Sequence, residues 1–158
     1  MCGIVAASGR RNVIPILMDG LERLEYRGYD SAGIAVLNNK TITRIRKQGK
    51  VSELKKEIEA NKTLASKNGI AHTRWATHGE PSTINAHPHT SGDEFSNDEI
   101  ALVHNGIIEN FDVIKKQMLS QGYEFTSKTD SETIVHLIHH HRKKNNLLEA
   151  IALTCKEL

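Results

Sequence analysis

Two groups at the front of this chain could act together as nucleophile and base. Cys2 follows the initiator Met1 and opens the run Cys2-Gly3-Ile4-Val5. Removal of Met1, which a small second residue favours, leaves a thiol and a free α-amino group on one residue. An α-amino group titrates at roughly 7.7–8.0. Near neutral pH it can therefore take the proton of its own side chain, directly or through a water. The competing reading is a small hydrophobe at the start of a buried strand, and position alone does not choose between the two. The histidines suggest different chemistry. His78, His87, His89 and His104 lie close in sequence, and His139-His140-His141 are consecutive. Consecutive helical residues point around three sides, and neither His-x-Glu nor Cys-x-x-Cys accompanies them. A solvated or loop role is expected for them, with no metal and no cofactor.

A reactive Cys2 needs elements that bring distant segments to it. Cys2 to Ser8 reads as a buried strand, from the apolar run Ile4-Val5-Ala6-Ala7 before Gly9. Val13, Ile16, Leu17, Leu21 and Leu24 then fall on one helical face. Tyr26 to Ser31 is a loop punctuated by Gly28. Ala32 to Leu37 and Thr41 to Arg46 form a hairpin across Asn38-Asn39-Lys40. Val51 to Ala60 is a charged helix striped by Leu54 and Ile58, and Gly69 to Trp75 is another strand. Thr77 to Asp98 is a long polar loop, a length usually functional or disordered. Ile100 to His104 is a strand running into Asn105-Gly106. Phe111, Ile114 and Met118 mark a helix that stops at Gly122. Thr129 and Glu132 make a capping-box pattern for the next helix. In the last helix, Leu148, Ile151, Ala152 and Cys155 share an apolar face, which predicts Cys155 as core packing.

At 158 residues the chain suits one domain. Its net charge of +2 is too small to argue for nucleic acid or an acidic membrane. With three Phe, three Tyr and one Trp there is no stacking platform for single strands. The run from Val13 to Met18, interrupted by Pro15 and stopped by Asp19, is neither a signal-peptide core nor a membrane span. Two cysteines make no disulfide framework, so a cytoplasmic location is expected.

Five segments stand out in order: Cys2-Gly3-Ile4; Tyr26-Arg27-Gly28-Tyr29-Asp30-Ser31-Ala32-Gly33; His72-Thr73-Arg74-Trp75-Ala76-Thr77-His78-Gly79; His104-Asn105-Gly106; and Thr129-Asp130-Ser131-Glu132. Together they resemble the glutaminase domain of class II glutamine amidotransferases, an N-terminal-nucleophile (Ntn) hydrolase fold. The wording Tyr-Arg-Gly-Tyr-Asp-Ser and Arg-Trp-Ala-Thr-His-Gly is similar to the branch that aminates fructose 6-phosphate. The amidophosphoribosyltransferase branch, which shares Cys2-Gly3-Ile4 and the arginine motif, is the alternative.

The resemblance covers essentially the whole chain and implies an α+β, four-layer αββα sandwich, incomplete at its C-terminus. It implies residues 1–158 as the N-terminal portion of a glutaminase type 2 domain, with the sugar-isomerase domains absent. The substrate implied is L-glutamine, and the implied partner in trans is a sugar-isomerase domain or the missing C-terminal segment. A chain of this length could instead be a catalytically silent module that binds glutamine or a partner.

The resemblance also assigns roles. Cys2 attacks the side-chain carboxamide. Asn105, through its side-chain amide, and Gly106, through its backbone N–H, hold the oxyanion. That dipeptide is otherwise a common turn signal. Arg74 clamps the substrate α-carboxylate, helped by Thr77 and the backbone near His78. A plain surface charge fits poorly on the apolar strand before Trp75. Asp130 holds the α-ammonium, although an acid at a helix N-terminus is favourable in any case. Arg27 lies beside the nucleophile, where a cation favours thiolate. Trp75 opens a loop that covers bound glutamine, whereas from the residues alone it reads as an ordinary core tryptophan.

Overall fold

The computed structural model describes residues 2–76, 79–93 and 98–158. Four antiparallel strands form the first sheet: β1 (Gly3–Ser8), β2 (Ser31–Asn38), β3 (Thr41–Gln48) and β4 (Asn68–Arg74), in the order β1-β4-β2-β3. Alternation along these strands gives the sheet two different faces. Val5, Ala7, Ala32, Ile34, Val36, Ala71 and Ile45 face helices α1 (Ile14–Leu24) and α2 (Val51–Ala60). Leu17, Leu21 and Leu54 are fully buried there, each worth roughly 1.5–3 kcal/mol of hydrophobic stabilisation. Pro15 does not break this segment, because it occupies the first turn of α1, where its missing N–H costs nothing. The opposite face of the sheet carries His72, Arg74, Arg44 and Arg46.

A second sheet pairs β5 (His89–Ser91) with β6 (Ile100–Leu102). Three helices complete the fold: α3 (Phe111–Ser120), α4 (Ser131–Arg142) and α5 (Leu147–Glu157). Helix α4 packs on β5, β6, α3 and α5, and Ile114, Met118, Ile134, Leu137, Ile138 and Ala150 form a second core. The layers therefore run helices, sheet, sheet, helices: the expected αββα arrangement. The polar faces of β3 and β4 are covered by the connection before β5. Arg46 Nη1 donates to the carbonyls of Ile84 and Ala86 at 2.9 Å each, and Arg44 Nη1 to that of Pro88 at 3.4 Å. Gly33 allows the close approach, since a Cβ there would lie 2.2 Å from the His87 carbonyl oxygen.

Several expectations need correction. β5 lies inside the segment read as loop; three polar residues carry no visible alternation. β6 leaves its ladder at Leu102, so His104 is not in a strand. The capping box at Thr129 and Glu132 is not made. Asp130 occupies the N-cap, and Glu132 reaches back to accept bonds from the backbone N–H and hydroxyl of both Thr126 and Ser127. A true capping box instead opens α5, between Asn146 and Glu149. That helix docks through its small residues, Ala150 and Thr154. Leu148 is left 77% exposed and Cys155 is exposed, so neither is core. Of the histidines read as solvated, His87, His89 and His139 are buried, as are His72 and His136. His72, His89, His136 and His139 each place a ring nitrogen within hydrogen-bond reach of a neighbour, as His136 Nδ1 does with Ser91 Oγ at 2.8 Å.

Candidate active site

The antiparallel register brings Cys2 to its neighbours. Gly3 pairs with Thr73 and Ile4 with His72, so one further step sets Cys2 opposite Arg74, on the face turned toward the second sheet. The backbone N–H of Trp75 donates to Cys2 Sγ at 3.2 Å, and Sγ lies 3.6 Å from the Trp75 carbonyl oxygen. The thiol is half-buried and held against the end of β4.

Arg27 ends a 3₁₀ turn, Glu25–Arg27, that follows α1. Gly28 comes next with φ +74°, and a Cβ there would stand 2.8 Å from the Trp75 ring. The indole therefore lies on Gly28. At 54% exposure Trp75 is not a core residue. Arg74 is 4% exposed. Its guanidinium donates to the Gly79 carbonyl at 3.1 Å and the Glu80 carbonyl at 3.5 Å, and lies 3.9 Å from Asp30 Oδ1. Asp30 also accepts from the Ala76 N–H and, at 2.9 Å, from Ser31 Oγ. It thus anchors both sides of Arg74, a role that its residue type alone did not reveal.

Asn105 and Gly106 follow β6, and the Asn105 side-chain oxygen lies 2.7 Å from His72 Nε2. Asp130 is buried at the head of α4. Its Oδ2 accepts the Ile108 N–H at 2.8 Å and its Oδ1 lies 3.3 Å from Ser131 Oγ. The carboxylate is therefore tied to the chain after Gly106 and makes no side-chain cap to its own helix.

These segments enclose one cavity of about 290 Å³, at the small end of ligand sites, which run to roughly 300–1,000 Å³. Cys2, Arg27, Arg74, Trp75, Asn105, Gly106 and Asp130 all line it. Thr77 and His78, the other two residues singled out in the sequence, lie outside the described residues. His87, His104, Ile107, Thr129 and Ser131 complete the wall. Of these, His104 places its Nδ1 3.0 Å from Ser131 Oγ. Burial pushes the pKa of His104 down, against the pull of Asp130. Burial also holds His72 down to about 4, so it is neutral. The cavity therefore combines a thiol, a fixed guanidinium, a fixed carboxylate and an amide beside a glycine N–H. Among the described residues no group of three or more His, Cys, Asp or Glu side chains is arranged to hold a metal ion.

The sequence profile of the glutamine amidotransferase domain matches residues 82–152. Over its whole length the chain is 55% identical to glutamine–fructose-6-phosphate aminotransferase [isomerizing] of Vibrio cholerae. It is 54% identical to the same enzyme of Pseudomonas syringae and 51% to that of Legionella pneumophila. The chain belongs to the glutamine amidotransferase family. It spans about a quarter of the length of these curated relatives (25% of the Vibrio protein, 26% of the Legionella protein).

Among solved structures, glutamine phosphoribosylpyrophosphate amidotransferase from B. subtilis is 28% identical with a TM-score of 0.81. The match covers all of this chain and 33% of that one. A structure described as the allosteric regulatory enzyme of purine biosynthesis matches with a TM-score of 0.82 at 28% identity. These matches over the whole chain give this amidotransferase domain its α+β, Ntn-hydrolase fold class. No helix of the described residues is long and apolar enough to cross a membrane.

Proposed function

We propose that this domain hydrolyses L-glutamine to glutamate and ammonia, with Cys2 as an N-terminal nucleophile. The observation that carries the reading is the convergence of Cys2, Arg74, Asn105-Gly106 and Asp130, from four separate parts of the chain, on one amino-acid-sized cavity. Once Met1 is removed, the α-amine of Cys2 takes the thiol proton and Sγ attacks the carboxamide carbon of glutamine. The carbonyl oxygen becomes an oxyanion, met by Asn105 Nδ2–H and the Gly106 N–H. The C–N bond breaks, the α-ammonium returns the proton and ammonia leaves. Water then attacks the γ-glutamyl thioester, the same amine accepting its proton, and glutamate departs as the thiol reforms.

Arg74 and Asp130 supply the cation and anion that an amino acid's carboxylate and ammonium require. Arg27 lines the cavity with the nucleophile. Thr77 and the backbone near His78 help Arg74 hold the α-carboxylate, and Trp75 opens the loop that covers the substrate. Residues 1–158 act as the glutaminase type 2 portion. The ammonia goes to fructose 6-phosphate held by a sugar-isomerase domain, a reading supported by the higher identity to the fructose-6-phosphate aminotransferases than to the phosphoribosyl enzymes. The test is glutamate release by the purified chain with Met1 removed. Turnover that vanishes in Cys2→Ala supports the reading; undiminished turnover in Cys2→Ala overturns it.

A further inference from the structure

The proposed chemistry leaves a file of buried histidines without a role. His72 on β4 is 1% exposed. Its ring stacks on His87, with centroids 4.3 Å apart and planes at 29°. His87 meets His89 edge-on at 4.5 Å, and His89 Nε2 lies 2.8 Å from Thr129 Oγ1, next to Asp130. At the other end of the file, His72 Nε2 reaches Asn105 Oδ1 at 2.7 Å.

We propose that His72 is a positioning residue that sets the direction of the Asn105 amide. Its Nε2–H donates to Oδ1, which turns Nδ2 toward the cavity. The proposal rests on the reading that Asn105 Nδ2–H meets the oxyanion. An amide side chain has nearly the same shape in its two orientations but opposite polarity. Asn105 is exposed, so packing does not select one of them. With its oxygen turned inward, Asn105 would set a negative dipole end against a developing negative charge.

A neutral imidazole has one donor and one acceptor nitrogen, so the tautomer of His72 decides which orientation is bonded. His72 Nδ1 is buried with no hydrogen-bond partner. A proton on Nε2 leaves only a lone pair unmet at Nδ1. A proton on Nδ1 would leave a buried N–H unmet, the rarer and costlier fault. The strand holds the donor in place, since His72 sits in register between Ile4 of β1 and Gly33 of β2. Burial and the nearby Arg74 guanidinium keep the ring neutral, so it offers a single fixed donor in this direction.

A long-range ¹H–¹⁵N correlation spectrum of the labelled chain at neutral pH reads the tautomer directly. The proton is expected on Nε2; an Nδ1–H form or an imidazolium overturns the proposal. In kinetics, His72→Phe keeps the ring bulk and stacking but removes the donor. Its kcat should fall on the order of 10²-fold, as for loss of one oxyanion donor, with KM little changed. The double variant His72→Phe/Asn105→Ala should lose no more than Asn105→Ala alone. His72→Gln, whose amide nitrogen reaches about as far as Nε2, should recover part of the rate. Full kcat in His72→Phe, or additive losses in the double variant, would overturn it. The glutaminase reading is judged separately, on wild-type turnover and Cys2→Ala. Were the wild type without turnover, that reading would fail while the tautomer still decided the orientation of Asn105.

Discussion

Replacing Gly33 by alanine probes how the site is held between the two sheets. The added methyl would stand 2.2 Å from the His87 carbonyl oxygen and 2.9 Å from that of Ile45. Close C···O contacts lie near 3.3 Å, so backbone must move by about 1 Å. The His87 segment is the side that can yield, but Arg46 grips it through the Ile84 and Ala86 carbonyls. Overpacking of this kind costs roughly 1–3 kcal/mol, and loosening a charged hydrogen bond adds roughly 1.5–3. A loss of roughly 3–5 kcal/mol is expected. At about 2–4 °C per kcal/mol for a chain of this size, Tm should drop by roughly 6–20 °C. Displacing His87 also disturbs the His72 ring stacked on it, so kcat should fall in the surviving folded fraction. Urea and thermal unfolding, with glutamate release measured well below Tm, give both readouts. Gly33→Ala within about 0.5 kcal/mol of the parent, at unchanged kcat, would refute the close approach of β2 to this segment.

Asn105→Ala should lower kcat far more than it raises KM, because the donor meets charge that develops only in the transition state. Arg74→Ala should chiefly raise KM; steady-state kinetics of the two variants would expose a swap of roles. Asp30→Asn should raise KM as well, since it weakens the anchor on both sides of Arg74, and Kd for glutamine measured calorimetrically checks it. Stability should fall with acid. The folded pKa of His72 is depressed to about 4 and that of His89 to about 3, mainly by burial. Between their ordinary value of 6.5 and those values the unfolded chain binds more protons, so stability rises with pH. For His72 alone the loss from pH 7 to pH 4 is on the order of 3 kcal/mol. Urea midpoints across that range provide the measurement: the slope should be shallower in a His72→Phe/His89→Phe variant, the remainder coming from His87, His104 and His136, whose pKa values burial also pushes down.

Much of the arrangement was legible because it follows local rules. Helix α2 from Val51 to Ala60 shows its Leu54–Ile58 stripe, and the hairpin turn at Asn39 and Lys40 takes the positive φ angles expected of a tight turn. Cys2, Arg74, Asn105 and Asp130 were legible because their order along the chain matches a known pattern, not because any one of them signals its place. What was not legible depends on tertiary partners. The three-residue strand β5 exists only against β6. Trp75 is drawn out over Gly28 by the turn beneath it. Glu132 is diverted from its capping position by four donors at Thr126 and Ser127. Helix α5 hides Ala150 and Thr154, not its larger residues, because small side chains allow α4 to come close. Burial of the histidine file follows from two sheets meeting, which no spacing within one segment reports.

The central claim is that Cys2 is the glutamine-directed nucleophile. The exposed Cys155 makes a useful internal control, since it reacts with thiol reagents irrespective of any site. The most direct test treats the chain, its Met1 removed, with an electrophilic glutamine analogue, with and without excess glutamine, and maps the adducts by peptide mass spectrometry. Modification should concentrate on Cys2 and be suppressed by glutamine, while any labelling of Cys155 is slow and unaffected. Labelling confined to Cys155, or labelling of Cys2 that glutamine does not slow, would contradict the account.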